Sequence, residues 1–417
     1  MNNLYHPLQA LREGHWFKLI CGASFQHLPA VRSLTLAYAL AGADCIDVAA
    51  NPAVIATAQD ALHVARRLMN AATARGFSTP GVPLLMVSLN DGDDPHFRKA
   101  EFDSTICPGD CPRPCETICP AQAIVFERPG DGFSGVLDDR CYGCGRCLPI
   151  CPIQQISTRS YVSTPAAIAP LVLEGVDAVE IHTQVGRLND FKRLWQAIVP
   201  WVDRLKLIAI SCPDGEDLID YLWALYDLIS PLPCPLIWQT DGRPMSGDIG
   251  HGATRATVKL GQKVLAAGLP GYVQLAGGTN RHTVDKLRSM GLLTHINPAA
   301  QPGSFQYAAP ATQRTRYISG VAYGSYARVL LSPLLGQLEA RNDQGDADAL
   351  TVLSLEAVPS IPSHLEHCVD TSTIHIPVRS IALEDHPDLL WQTVSLADSL
   401  VSQLKSPMNT PDIPVHV

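Results

Sequence analysis

A chain of 417 residues, 46% hydrophobic and 17% charged, has the composition of a folded globular protein and enough length for a large barrel or for two to three domains. Its 31 lysines and arginines against 40 aspartates and glutamates leave a formal charge of -9, which disfavours nucleic acid as a partner because duplex binding needs a basic surface. No window of about 18 apolar residues lacks charge or proline, and the opening MNNLYHPLQALREGHWFKLI is not a basic start followed by an apolar core, so neither a membrane span nor an export signal is expected and the protein is placed in the cytoplasm.

The first hundred residues alternate short β-branched runs with amphipathic stretches. Strands are expected at FKLICGA (17–23), CIDVAA (45–50) and PLLMVSL (83–89), with helices at 29–43 and 52–76 between them. That alternation is the pattern of βα units on a parallel sheet.

Two cysteine runs follow, CPGDCPRPCETICP (107–120) and CYGCGRCLPICP (141–152), and they hold eight of the thirteen cysteines. The second has the bacterial ferredoxin spacing C-x2-C-x2-C-x3-C-P, in which three thiolates on one tight loop ligate a cluster and the fourth cysteine reaches the other cluster. By this logic Cys107, Cys111, Cys115 and Cys151 hold one cluster, and Cys141, Cys144, Cys147 and Cys119 hold the other. Both are nominally 4Fe-4S. The first run is wider between its first two cysteines and is stiffened by Pro108, Pro112 and Pro114, which admits a 3Fe-4S cluster there. CPAQAIVFE after the first run is echoed by CPIQQIS after the second, as a pseudo-symmetric module requires, and the Gly-rich segment between them can turn back between strands. Zinc is disfavoured, because its knuckles come as separated cysteine pairs, and disulfides are disfavoured in a reducing compartment.

Beyond the module, strands are expected at 178–183, 205–211, 235–240, 272–277 and 318–324, and helices at 163–175, 188–204, 215–230 and 253–268. Eight strand-helix units make a (βα)8 barrel the expected fold, with an open doubly wound sheet as the alternative. The expected division is 1–99 for the first three strands, 100–160 for an inserted ferredoxin-like module, 161–340 for the remaining five strands and 341–417 for an extension with one helix near 386–404. Loops after strands line the mouth of a barrel, so the insertion would deliver its clusters to that face.

Polar residues collect at the expected strand ends: Cys21, Asn51, Asn90, His182, Ser211, Asp241 and Arg243. Gly277, Gly278, Gly324 and Ser325, after the last two strands, could cradle the phosphate of a flavin or small metabolite, although GG is common in turns and ordinary turn glycine is the stronger reading. His182 could serve as an acid or base, but a histidine at a strand end is more often a structural hydrogen-bonding residue, and Asp241 and Arg243 are more often a turn or surface pair than a substrate contact. Cys21, Cys45, Cys212, Cys234 and Cys368 are isolated and fit small buried apolar residues. His364 and His367 beside Cys368 lack a fourth ligand for a metal. The sequence contains no G-x-G-x-x-G after a strand, no H-E-x-x-H and no G-x-S-x-G.

GHWFKLICGAS (14–24), ADCIDVAANP (43–52) and the wide first cysteine run followed by the compact second together resemble the cyanobacterial light-dependent period (LdpA) family, over most of the chain. The resemblance implies an iron-sulfur protein that feeds light-driven redox state into the circadian clock, with clock proteins as partners and the eight cysteines as cluster ligands. The residues themselves leave two functions open. One is a redox sensor whose clusters alter partner binding; the other is an iron-sulfur oxidoreductase acting on a flavin or small molecule in the barrel mouth.

Overall fold

The computed structural model describes residues 6–92, 97–160, 170–242, 254–293, 317–353 and 382–405. Arg243, His364, His367, Cys368 and most of the helix expected at 163–175 lie outside the described residues. In chain order the strands are β1 (Trp16–Ile20), β2 (Cys45–Ala49), β3 (Leu84–Asn90), β4 (Arg98–Glu101), β5 (Ile124–Val125), β6 (Gly135–Val136), β7 (Ser157–Ser160), β8 (Ala178–His182), β9 (Leu207–Pro213), β10 (Leu236–Asp241), β11 (Tyr272–Ala276) and β12 (Gly320–Tyr323). Eight of them, β1-β2-β3-β8-β9-β10-β11-β12, pair in parallel and close when β12 returns to β1 through Trp16 opposite Gly320. The fold is a closed (βα)8-type barrel, not an open sheet.

The pleat divides each strand between two cores. Phe17, Leu19, Ile46, Val48, Val87, Val179, Ile208, Val273 and Val321 face outward into the layer of helices, while Trp16, Cys45, Met86, Ala178, Ala209, Ile237 and Tyr272 fill the lower barrel interior. Leu11 joins this inner layer from the helix His6–Glu13, which closes the N-terminal end of the barrel. Asn51 begins the helix Pro52–Thr73 as its cap, accepting from the backbone of Ala53 at 2.9 Å, and Pro52 takes the first helical position. The helix expected over 188–204 is α-helical only to Ile198 and continues as a 3-10 helix, because Pro200 has no N–H for the α-helical ladder. The helix Ser325–Leu353 runs unbroken past residue 340, and the C-terminal helix Pro387–Lys405 packs on it, on the helix Leu28–Leu40 and on β1. Among the described residues, no helix is long and apolar enough to cross a membrane.

Above the apolar layer, the barrel interior turns polar. Lys18 on β1 is 0% exposed and donates to Glu180 on β8 and, at 3.0 Å, to Gln239 on β10; Asp47 on β2 lies 3.1 Å away. Gln239 donates to Glu180 at 2.6 Å and accepts from Gln274, whose own side chain accepts from the indole of Trp16. The chain thus stitches five strands across the lumen. Burial works against the ammonium, but Asp47 and Glu180 outweigh it and hold the lysine pKa up. Burial pushes Asp47 up, whereas Lys18 and His182 hold Glu180 down against burial.

Removing one member of a buried charge set leaves the others uncompensated, at a cost of about 3–5 kcal/mol. Lys18→Met is expected to lose about that much stability at pH 7. Without the ammonium both carboxylates gain raised folded pKa values, and a raised pKa contributes stability at low pH that is lost as pH rises. The deficit should therefore shrink between pH 7 and pH 5. Anaerobic urea unfolding at the two pH values measures it; a deficit that grows on acidification would contradict this assignment of the charges.

Candidate functional site

The chain leaves the barrel at the C-terminal end of β3 and returns to it at β8, and the excursion between them reaches the mouth, where Tyr142 and Gly143 form part of the wall. The excursion is tied at its base by the antiparallel ribbon β4·β7, with Arg98 opposite Ser160, and carries a second two-stranded ribbon, β5·β6. The first ribbon frames both cysteine runs and the second lies between them. Buried Lys99 on β4 anchors the module, donating to the carbonyl of Asp138 at 2.6 Å and to Gln26 in the loop after β1 at 3.1 Å. Arg140 reaches Glu339 on the helix Ser325–Leu353 at 3.2 Å.

The eight thiols stand in two groups. Cys119 acts electrostatically on Cys141, Cys144 and Cys147, while Cys151 acts on Cys107 and Cys115. The last cysteine of each run is therefore a neighbour of the other run's leading cysteines. Cys119, Cys141, Cys144 and Cys147 line one pocket with Ala100, Ala123 and Ile124. Burial, then the neighbouring thiols, pushes Cys147 up to about 12. A positively charged iron centre removes that penalty by taking the thiolates as ligands, so the donor set suits iron-sulfur chemistry.

Backbone donors already point at the sulfurs. Ala100 donates to Cys141 Sγ at 3.3 Å and Ala123 to Cys119 Sγ at 3.2 Å. Cys151 is held low although burial opposes it, because the N–H groups of Gln155, Ile153, Ile156 and Gln154 face its sulfur. Gly143 is confined to its left-handed turn, φ 67°, since a Cβ there would strike the carbonyl of Arg98. Cys107, Cys111, Cys119, Cys144 and Cys151 are partly exposed, whereas Cys115, Cys141 and Cys147 are buried. Ile106 (61% exposed), Ile150 and Ile153 flank the first group and are open to solvent.

Inward from the second group lies the barrel mouth, a narrow solvent-connected cleft. Gly277, Gly278, Gly324 and Ser325 all line it, as do His182 and Asp241. His182 Nε2 lies 2.9 Å from Glu180 and its ring meets Phe97 edge-on; Asp241 accepts from Ser211. Asn90 is buried beside the mouth and donates to the carbonyl of Gly92. Cys21, Cys45, Cys212 and Cys234 are buried, and burial pushes Cys21 and Cys234 up to about 12, as inert packing thiols require.

Sequence reasoning passed over the two residues that join module to barrel. Tyr142 stands between two cysteines and lines both cavities, and Arg328 stacks on its ring at 4.0 Å. Both were visible, in CYGC and GSYAR, but no spacing rule couples positions so far apart. Glu180 and Gln239 were hidden for the same reason inside strands that looked simply apolar.

Residues 107–162 match the family described as the LdpA Fe-S cluster-binding domain, and residues 171–403 match the light dependent period A C-terminal domain. The cofactor is thus of the iron-sulfur class. Among solved structures, the chain is similar to the apo homocysteine methyltransferase MmuM of Escherichia coli (14% identity, TM-score 0.26, 63% of this chain and 92% of that one). It is also similar to a geranylgeranylglyceryl phosphate synthase of Thermoplasma acidophilum (12%, 0.25, 79% and 92%). Neither likeness is close enough to bear on function. A curated protein of Synechococcus elongatus named Light dependent period A is 48% identical over 374 residues, covering 89% of this chain and 97% of the relative. With both domains and nearly the whole length of that relative matched, the chain belongs to the light-dependent period A family.

Proposed function

We propose that this protein is a redox sensor of the light-dependent clock input, in which the two cysteine groups hold two iron-sulfur clusters and the state of the module sets affinity for clock-protein partners. The observation that carries this reading is the exchange of neighbours: Cys151 beside Cys107 and Cys115, and Cys119 beside Cys141, Cys144 and Cys147. That exchange is what two-cluster ferredoxin ligation requires. Bound at these thiols, such clusters would supply one-electron oxidation and reduction. Nominally both are 4Fe-4S, and the wide, proline-stiffened first run is where a 3Fe-4S form would fit.

The two sites have different work. The first group, with three of its four thiols part-exposed and flanked by open isoleucines, suits contact with a partner; the second, with Cys141 and Cys147 buried and Tyr142 of its loop reaching the barrel mouth, suits internal communication. A one-unit change of charge about 10 Å behind an interface, at an effective dielectric near 20, is worth roughly 1–2 kcal/mol before salt screening. That corresponds to about a tenfold change in affinity, enough to signal without turnover. A second reading, an iron-sulfur oxidoreductase with a flavin or substrate in the barrel mouth, is favoured by one feature: His182 and Glu180 face a cavity that Tyr142 and Gly143 of the module also line.

Cys151→Ser should disturb the electron paramagnetic resonance signal of the first-run cluster and spare that of the second; loss confined to the Cys141, Cys144 and Cys147 site would show that the ligands do not cross. Affinity for purified clock components should differ about tenfold between protein poised oxidised and protein poised reduced. Equal affinities, with a flavin released on denaturation, would replace the sensor with the oxidoreductase.

A further inference from the structure

We propose that the barrel mouth binds a small molecule through a phosphate group, with Arg328 as its counter-charge, and that occupancy is coupled through Tyr142 to the group Cys119, Cys141, Cys144 and Cys147. The coupling, though not the phosphate site itself, rests on the reading of those cysteines as cluster ligands.

Arg328 is the decisive residue. It is 7% exposed, and its hydrogen bonds among the described residues go only to neutral acceptors: the carbonyls of Ile20 at 2.8 Å and Cys21 at 3.0 Å, and the hydroxyl of Ser325 at 3.1 Å. A buried guanidinium without an anionic partner is costly, and an anion entering the cavity would relieve that cost. Two buried polar atoms on this wall, Arg328 Nε and the Tyr142 hydroxyl oxygen, have no hydrogen-bond partner of good geometry among the described residues. A ligand oxygen would supply one.

The backbone around Arg328 is built for the same guest. Gly277 and Gly278 leave β11 with φ 63° and 99°, and Gly324 leads into a helix of 29 residues beginning at Ser325. The first N–H groups of a helix lack intrahelical acceptors and carry its positive end. Gly324 is not required by packing, since the nearest atom to a Cβ there is Arg328 Nη1 at 3.6 Å. What the glycine preserves is open space. A planar guanidinium and N–H donors from two loops match the several acceptor oxygens of a phosphate better than the two of a carboxylate. Across the cavity, His182, Glu180 and Gln239 offer hydrogen-bonding groups to the other end of the guest.

The link to the module is direct. The Arg328 guanidinium lies 4.0 Å from the centre of the Tyr142 ring, and Phe25 meets that ring edge-on at 5.7 Å. Tyr142 follows Cys141 and precedes Gly143 and Cys144, in a loop packed so closely on Arg98 that a Cβ at Gly143 would strike its carbonyl. A phosphate drawing on Arg328 must therefore alter the contact on Tyr142, and by reciprocity a change at the cysteines alters phosphate affinity.

The test titrates anaerobic full-length protein with inorganic phosphate against chloride at equal ionic strength, and with ribose 5-phosphate against ribose, by calorimetry. Phosphate-bearing probes should bind and their controls should not. Arg328→Gln should weaken binding at least tenfold with iron content unchanged, and Gly324→Ala should weaken it by filling the mouth. Absence of phosphate binding, or equal binding by Arg328→Gln, overturns the site. Phosphate should also shift the midpoint potential of the buried cluster, and Cys144→Ser should change phosphate affinity. If both stay unchanged while Arg328→Gln still loses binding, the coupling is wrong and the site stands. Protein lacking iron altogether would sink the cluster reading, while the phosphate titration would still decide the site.

Discussion

The parallel pairing of β3 with β8 is the constraint on which the rest of the molecule depends. Met86 to Asn90 must lie beside Ala178 to His182 for the ring to close, whatever the intervening chain does. Because parallel neighbours can be joined only by a crossover that leaves from the C-terminal end of the first strand, the whole cysteine module is forced to begin at the barrel mouth. The ribbon β4·β7 then brings the two ends of the module together, so the insertion adds length without pulling the strands apart. Position, not any single ligand, makes the cysteines neighbours of the barrel cavity.

From that placement follows an ordered sequence of environments. Outermost is the first cysteine group, partly exposed beside Ile106, Ile150 and Ile153; next is the second group, walled by Ala100, Ala123 and Ile124; then come Tyr142 and Arg328; last are His182 and Glu180 at the mouth. Polarity and burial change at each step. A partner meeting the outer face and a small molecule in the mouth would be joined by side chains in contact, with Tyr142 as the shared wall. The buried Lys18, Asp47 and Glu180 set forms the floor of the cavity, with its charges paired to one another inside the lumen.

Much of this was legible in the chain before folding. All eight barrel strands fall where β-branched runs such as CIDVAA and AVEIHT predict them, because a parallel barrel buries both faces of each strand and leaves continuous apolar segments. The ferredoxin spacing at Cys141, Cys144 and Cys147 is short-range and fixed by cluster geometry, so sequence carries it whole. The partners of Lys18 were not legible, since Asp47, Glu180 and Gln239 meet it only through inter-strand register. The role of Arg328 was hidden likewise, by the 186 positions that separate it from Tyr142 in sequence (328 minus 142). The helix His6–Glu13, too short and mixed to stand out, is recognisable only from the apolar layer it covers.

The number of clusters the chain holds is the most direct measure of the crossed arrangement of cysteines. Iron and acid-labile sulfide analysis of anaerobically prepared protein, together with electron paramagnetic resonance during stepwise reduction, counts them without reference to any partner or substrate. Two distinct paramagnetic centres are expected, with about eight iron atoms per chain, or about seven where the first-run site holds a 3Fe-4S cluster. A single centre with about four iron atoms or fewer, in protein shown to be intact and fully loaded, would contradict the crossed pair and with it the division of work between an outer and an inner site.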